Sequence, residues 1–172
     1  MRIYLFRHGP AGSRDSSRWP DDSLRPLSPR GAERTERAAR GLARLEADPT
    51  SVLSSPLVRC MQTAKLLREA LELETTIETL DALVPGGSVR ATLQRLSQFE
   101  PDDAVFLVGH EPDLGKLAGG LLFGAGASSV PLKKAGACLV AFDGPIKAGG
   151  GELRAFLPPR VLRGIARKQS RV

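Results

Sequence analysis

The sequence predicts an α/β protein: a three-layer α/β/α sandwich with helices on both faces of a mostly parallel central sheet. Two observations carry this. Strand and helix signals alternate through most of the 172 residues. Two short runs, Ile3-Tyr4-Leu5-Phe6 and Ala104-Val105-Phe106-Leu107-Val108, are apolar throughout, which is the pattern of strands buried on both faces inside a parallel sheet. Each run leads into a histidine, His8 and His110, and the chain holds no other. Ligands of open α/β sheets bind at the carboxyl ends of the strands, so the two rings point to one site.

The elements follow in order. After the first strand, residues 10–26 are rich in Ser, Asp, Arg and Pro and hold the single Trp, Trp19. They read as a long loop, and loops of that length in a compact domain tend to be functional. Ser28 and Pro29 open a helix as N-cap and first-turn proline, and Asp48-Pro49 closes it, with Ala32, Ala39, Leu42, Ala43 and Leu45 as its apolar stripe. Val52-Leu53 is a short strand. Ser54-Ser55-Pro56 then starts a helix to about Glu72 with Leu57, Met61, Ala64 and Leu71 inward. Arg59 falls in its first turn, where a cation opposes the helix dipole unless an anion binds beside it. Residues 75–79 are a third strand, and a helix capped by Ser88 ends near Phe99. The His110 strand leads through Glu111-Pro112 into a helix bearing Leu114, Leu117, Ala118, Leu121 and Leu122, with Gly119-Gly120 inside it weakening the signal for its length. Residues 137–142 and 153–157 pair as a hairpin. From Pro158 the chain turns basic, with Arg160, Arg163, Arg167, Lys168 and Arg171.

A chain of this length buries a core without staples. Cys60 and Cys138 are too few and too far apart for a disulfide framework, no leader pattern precedes Arg2, and nothing is long enough to span a membrane. A soluble cytoplasmic protein with two inert thiols is expected. Lys+Arg 25 against Asp+Glu 19 gives a net charge of +6, which favours anionic partners without naming one.

Neutral imidazoles beside arginines, without a metal cluster, suit phosphoryl transfer. Its transition state spreads charge over three oxygens, so positioning and fixed positive charge do most of the work, and histidine can itself be the nucleophile. Close arginines would depress the pKa of His8 and keep it neutral. Competing motifs fail. Residues 109–116 imitate a phosphate-binding Walker loop, but five residues separate Gly109 from Gly115 and Leu117 stands where magnesium needs a hydroxyl. Cys60 lacks an arginine six positions on, no G-x-S-x-G elbow occurs, and the remaining carboxylates show no zinc-ligand spacing, so neither metal nor cofactor is expected.

Five motifs in order then carry a resemblance: Arg7-His8-Gly9; Leu24-Arg25-Pro26-Leu27-Ser28 with Gly31; Ser55-Pro56 followed by Arg59 and Gln62-Thr63; Leu83, Pro85 and Gly87; and Gly109-His110 with Pro112. They resemble the histidine phosphatase superfamily, to which the phosphoglycerate mutases belong, and within it the small SixA-type phosphohistidine phosphatases. The resemblance implies a phosphoglycerate mutase-like fold in minimal form without a lid insertion. It implies a phosphatase domain over residues 1–158, followed by a basic tail over 159–172. It makes His8 the nucleophile and has Arg7, Arg59 and His110 hold the phosphoryl oxygens, joined by Arg25 from the long loop.

Larger members carry a proton-donating carboxylate after the third strand, and here residues 83–87 contain none. Glu78, Asp81 and Glu111 are the residual candidates for a general acid. An alcohol leaves poorly without one, whereas phosphohistidine can release neutral imidazole. The expected activity is therefore metal-independent removal of phosphate from phosphohistidine on a partner protein, such as a phosphorelay or phosphotransfer domain, through a phospho-His8 intermediate. The alternatives are a phosphatase for a small ester or nucleotide, with Asp81 or Glu111 as acid, and a non-catalytic binder of phosphoproteins, polyphosphate or nucleic acid using the arginine-rich surface. An intact nucleophile motif argues against the binder, and so against nucleic acid as partner.

Overall fold

The structure, a computed structural model, describes residues 1–167. Its strands are β1 (Arg2–Arg7), β2 (Ser51–Ser54), β3 (Ile77–Thr79), β4 (Ala104–Gly109), β5 (Ala137–Ala141) and β6 (Glu152–Leu157). They form one six-stranded sheet in the order β3-β2-β4-β1-β5-β6. The first four are mutually parallel, while β5 runs antiparallel to both β1 and β6, the latter pairing being the expected hairpin. Helices α1 (Pro29–Ala43), α2 (Val58–Ala70) and α5 (Pro159–Ile165) cover one face, and α3 (Val89–Leu96) and α4 (Asp113–Phe123) the other. No described helix is long and apolar enough to cross a membrane.

The continuous apolar runs divide between the faces residue by residue. On β1, Ile3 and Leu5 enter the core under α3 and α4, with Val105 and Leu107 of β4 beside them. Tyr4 and Phe6 enter the core under α1 and α2 with Phe106 and Val108, and the Tyr4 and Phe106 rings stack with centroids 4.7 Å apart. The period of two along a strand makes both faces apolar, and that is why neither run alternates in sequence.

Several expected boundaries move. Helix α1 is capped by Ser28, whose Oγ accepts from Gly31 N–H at 3.0 Å, but it ends at Ala43 rather than Asp48-Pro49. The chain reverses through Glu46 at φ 53°, and Leu45, expected inside, is exposed. The turn is needed to feed Val52 into the sheet. Helix α2 begins at Val58, so Ser55 and Pro56 lie before it, and its buried line is Cys60, Thr63, Ala64 and Leu67 rather than Leu57, Met61 and Leu71. Charged and polar residues take inward positions near its start because that end faces the site. Helix α3 stops at Leu96, short of Phe99, and β3 keeps only the last three residues expected of it. Helix α4 runs unbroken through Gly119-Gly120; a Cβ on Gly119 would lie 2.2 Å from the Ser128 carbonyl oxygen, so the glycine admits the neighbouring loop.

The basic stretch after Pro158 begins as a helix. Leu162 of α5 is fully buried in the core with Ala38, Ala39 and Leu42, and Arg44 donates from Nη1 to the carbonyls of Ile165 and Ala166 at 2.9 and 2.6 Å. At least the α5 portion of the expected tail is therefore part of the packed domain. Lys168 and Arg171 lie outside the described residues.

Gly41 of α1 sits where α5 crosses. A Cβ there would lie 2.2 Å from the Leu162 carbonyl oxygen, with backbone and not a flexible side chain opposite. In an exposed helix Gly→Ala stabilises by about 1 kcal/mol through propensity. Here the overlap reverses the sign, and Gly41→Ala is expected to destabilise by about 2 kcal/mol in urea unfolding. A more stable variant would show that α5 does not approach this closely.

Candidate active site

The register of β1 on β4 aligns Arg7 with Gly109, so the next residues, His8 and His110, leave adjacent strands side by side. Their ring centroids are 4.9 Å apart, close to the spacing of neighbouring strands. Strand β2 flanks β4 on its other edge, and Ser55 N–H donates to the Val108 carbonyl at 2.9 Å, which brings Ser55 to the same end. His8 is 7% exposed, His110 4% and Arg59 3%.

Each ring is oriented by a hydrogen bond. His8 Nδ1 lies 2.7 Å from the Gly9 carbonyl oxygen. A carbonyl only accepts, so Nδ1 carries the proton and the lone pair of the neutral ring is on Nε2. Gly9 is also a point of close approach, since a Cβ there would lie 1.9 Å from Thr35 Oγ1 of α1. Its N–H donates to Thr63 Oγ1 at 3.1 Å, and Thr63 in turn donates to the Arg59 carbonyl at 2.7 Å. Thr63 thereby ties the His8 turn to the start of α2. Gln62 accepts from Leu27 N–H through Oε1 at 2.7 Å and holds the end of the long loop. His110 turns Nε2 toward Ser55 Oγ at 3.0 Å and Cys60 Sγ at 3.3 Å.

Burial is the largest cause lowering the His8 pKa to about 4, with Arg59 and Arg7 adding to it. His110 falls to about 3, from burial first and then from His8 and the same two arginines. The sequence reading credited the arginines; desolvation is the larger cause. The Cys60 thiol is pushed up to about 12 and Cys138 to about 11 by burial, so both stay protonated.

The arginines are held from behind. Arg7 donates from Nη1 to the Leu132 carbonyl at 2.8 Å, and Leu132 N–H donates to Glu111 Oε1 at 2.9 Å. Arg59 donates from Nη1 to the Asp22 carbonyl at 2.8 Å, and its Nη2 lies 3.1 Å from Asp22 Oδ2. Arg25 donates to both oxygens of the same carboxylate, from Nε at 2.8 Å and Nη2 at 3.3 Å, and from Nη1 to the Gly12 carbonyl. The Arg25 hydrogen bond, followed by the charges of Arg59 and Arg25, holds the Asp22 pKa down at about 2. Among the described residues, Arg7 Nε and Arg59 Nε are buried with no hydrogen-bond partner. An unsatisfied buried N–H is costly, and an N–H on a cation makes its strongest hydrogen bonds to an anionic oxygen.

The structure brings His8, His110, Arg7, Arg59 and Arg25 together, the last through Asp22. Of the three acid candidates it places Glu111 behind Arg7 and pairs Glu78 elsewhere. Glu78 forms a two-bond ion pair with Arg95 at 2.9 and 2.8 Å, which lowers its pKa and keeps it without a proton to give. Glu111 is engaged with Leu132 N–H. Asp81 is exposed in a single 3-10 turn after β3. Sequence reasoning missed Asp22, for which the spacing of three to Arg25 was the only signal. It also missed Lys134, whose pKa is lowered by burial and then by Arg7, Arg25 and Arg59, the same cations that ring the site. Ala135 N–H donates to the Arg7 carbonyl at 3.0 Å and pins that loop there, a contact no local pattern announces. Among the described residues no three His, Cys, Asp or Glu side chains gather as a metal site.

The profile of the histidine phosphatase superfamily (branch 1) matches residues 3–84. The phosphohistidine phosphatase SixA of Escherichia coli K12 is 32% identical over 120 residues, spanning 68% of this chain and 71% of that protein. The chain belongs to the histidine phosphatase superfamily. An uncharacterized protein of Picosynechococcus sp. is 41% identical over 138 residues, 79% of this chain and 82% of its own. A structure of the histidine phosphatase SixA complexed with tungstate superposes with a TM-score of 0.81 at 26% identity, covering 94% of this chain and 99% of that one. The fold is thus the phosphoglycerate mutase-like one in its small form, and the protein is a phosphatase of this superfamily.

Both histidine pKa values lie below the 6.5 of an unperturbed ring, so the native state binds fewer protons than the unfolded chain in that range. Stability is fully present above about pH 6.5 and is lost as pH falls toward the folded values. Imidazole 15N spectra recorded from pH 8 to pH 3 are expected to show both rings neutral down to about pH 5. A midpoint near 6.5 for either ring would contradict the buried geometry.

Proposed function

We propose that the protein hydrolyses phosphohistidine on a partner protein, with His8 as nucleophile. The observation that carries the reading is the pair of buried, unpartnered guanidinium N–H groups of Arg7 and Arg59 beside a His8 ring whose Nε2 lone pair is free. Nε2 attacks phosphorus as the substrate P–N bond breaks, and the bond electrons return to the substrate ring. A substrate ring protonated on its other nitrogen then leaves as neutral imidazole. Water attacks the resulting phospho-His8, Nε2 recovers its lone pair, and phosphate departs with its excess proton lost to solvent.

Arg7, Arg59 and His110 contact the phosphoryl oxygens in this reading, and Arg25 and Lys134 add positive charge at the rim. Asp22 takes one N–H from each outer nitrogen of Arg59, and the buried Nε–H, which has no protein partner among the described residues, is the donor assigned to the phosphoryl group. The carboxylates support a phosphoramidate over an ester. Glu78 is paired with Arg95 and Glu111 accepts from Leu132 N–H, which leaves exposed Asp81 as the remaining acid candidate for an alkoxide, while imidazole needs none. The E. coli relative carries the name phosphohistidine phosphatase, and a SixA structure holds tungstate, a phosphate-like oxyanion. A cytoplasmic location belongs to the same proposal and rests on the two unpaired buried thiols.

The test compares kcat/KM on a phosphohistidine protein and on p-nitrophenyl phosphate, with chelator present. Preference for the phosphohistidine protein is expected, and His8→Ala should abolish both turnovers and the trapped phosphoenzyme. Better ester hydrolysis would move the substrate to small phosphate esters, and full turnover by His8→Ala would sink the covalent route. Arg59→Ala is expected to lower kcat by about 10²–10³, the scale of losing a preorganised donor to transition-state charge; a loss below threefold would remove Arg59 from the phosphoryl site.

A further inference from the structure

We propose that Ser55 is a positioning residue: its hydroxyl donates to Nε2 of His110 and fixes the tautomer in which Nδ1–H is the donor offered to the phosphoryl group. The His110 ring has two orientations of its proton, and only one makes it useful to an oxyanion. Nε2 faces inward, 3.0 Å from Ser55 Oγ and 3.3 Å from Cys60 Sγ, so Nδ1 is the nitrogen left for a ligand. If Nε2 carried the proton, Nδ1 would present a lone pair to the phosphoryl oxygens and repel them.

The surroundings of Ser55 decide which nitrogen is protonated. Ser55 is fully buried. Its oxygen already accepts from Leu57 N–H at 3.4 Å, and its proton has two acceptors in reach, His110 Nε2 and the Cys60 sulfur, of which the imidazole nitrogen is much the stronger. Were Nε2–H the donor, the Ser55 proton would be left in the buried site with only the weakly accepting Cys60 sulfur, which is the costlier arrangement. Cys60 does not compete strongly. Its thiol is a weak donor and has the Gly109 carbonyl as an alternative acceptor at 3.8 Å. The backbone makes the contact obligatory: Ser55 N–H is held by the Val108 carbonyl two residues before His110, so the hydroxyl and the ring sit on neighbouring strand ends. His8 is set in the same way by the Gly9 carbonyl, with the opposite result. There Nδ1 is protonated by an acceptor and Nε2 is left as a lone pair, while at His110 Nε2 is filled by a donor and Nδ1 is left as N–H. One ring is prepared to attack and the other to bind.

The tautomer stands by itself, whereas its use on a phosphoryl group rests on the phosphatase reading above. With two histidines in the chain, long-range 1H–15N spectra at pH 7 resolve both rings, and His8→Ala assigns them. Wild-type His110 is expected as the Nδ1–H tautomer; an Nε2–H tautomer overturns the proposal whatever the variants do. Ser55→Ala is expected to move His110 toward Nε2–H and to weaken tungstate binding about tenfold, the scale of one hydrogen bond to a charged group. Ser55→Thr should restore both, and Cys60→Ala should leave the tautomer as it is. An unchanged tautomer in folded Ser55→Ala would assign the role to Cys60 and refute that of Ser55. Neither readout needs a substrate. A protein that shows the tautomer and binds tungstate yet ignores phosphohistidine would sink the substrate reading and leave this one standing.

Discussion

The parallel pairing of β1 with β4 is the constraint on which the rest depends. A one-residue slip would move Ile3 and Leu5 to the face of Tyr4 and Phe6 and strip both cores at once, so the register is fixed by burial on two faces. That register sets Arg7 opposite Gly109 and sends His8 and His110 out together. The 4.9 Å between their rings is a property of the sheet before it is a property of the site. Strand β2 adds Ser55 on the far side of β4, and three adjacent strand ends then carry a nucleophile-capable ring, a donor ring and the hydroxyl that orients it.

Charge in the site is arranged around that apolar frame. The rings are neutral chiefly because water is excluded, and the arginines reinforce what burial begins. Packing Arg7, Arg25, Arg59 and Lys134 near one another would be unfavourable without a counter-charge. Asp22 supplies it from the long loop, behind the guanidinium groups, with Arg25 and Arg59 on one carboxylate. Asp22 engages outer nitrogens of Arg59 and the Leu132 carbonyl one of Arg7, and among the described residues the two Nε–H groups have no partner. Glu111 plays the same part for Arg7 at one remove, by fixing the Leu132 segment that accepts from it. Both carboxylates thus orient cations.

The motif residues that carried the family resemblance turn out to divide between chemistry and joinery. Arg7, His8, Arg59 and His110 face the candidate site. Thr63 and Gln62 join α2 to the Gly9 turn and to the long loop, and Asp113 accepts from Gly86 N–H at 2.8 Å to hold the 85–87 turn against α4. Arg59 in the first turn of α2 needs no bound ligand to explain its tolerance of the helix dipole, because the Asp22 carboxylate pairs with its guanidinium.

The sequence by itself determined the sheet, the two histidines at its carboxyl edge and the arginine-rich chemistry around them. Those follow from local information: apolar runs too continuous for a half-exposed strand, Ser28 and Ser88 as caps, glycine directly after His8 and directly before His110. Tertiary structure decided where α1 and α2 begin and end, since Glu46 must reverse the chain into β2 and the start of α2 must open onto the site. It decided that α5 packs onto α1, because Leu162 finds a buried position between helices that are distant in sequence. It also chose Asp22 and Lys134 from among many similar loop residues, and gave Ser55 to His110 instead of to a helix cap. A charge or hydroxyl is recruited by what lies within about 3 Å of it, and that distance is set by contacts spanning tens of residues, which no local pattern records.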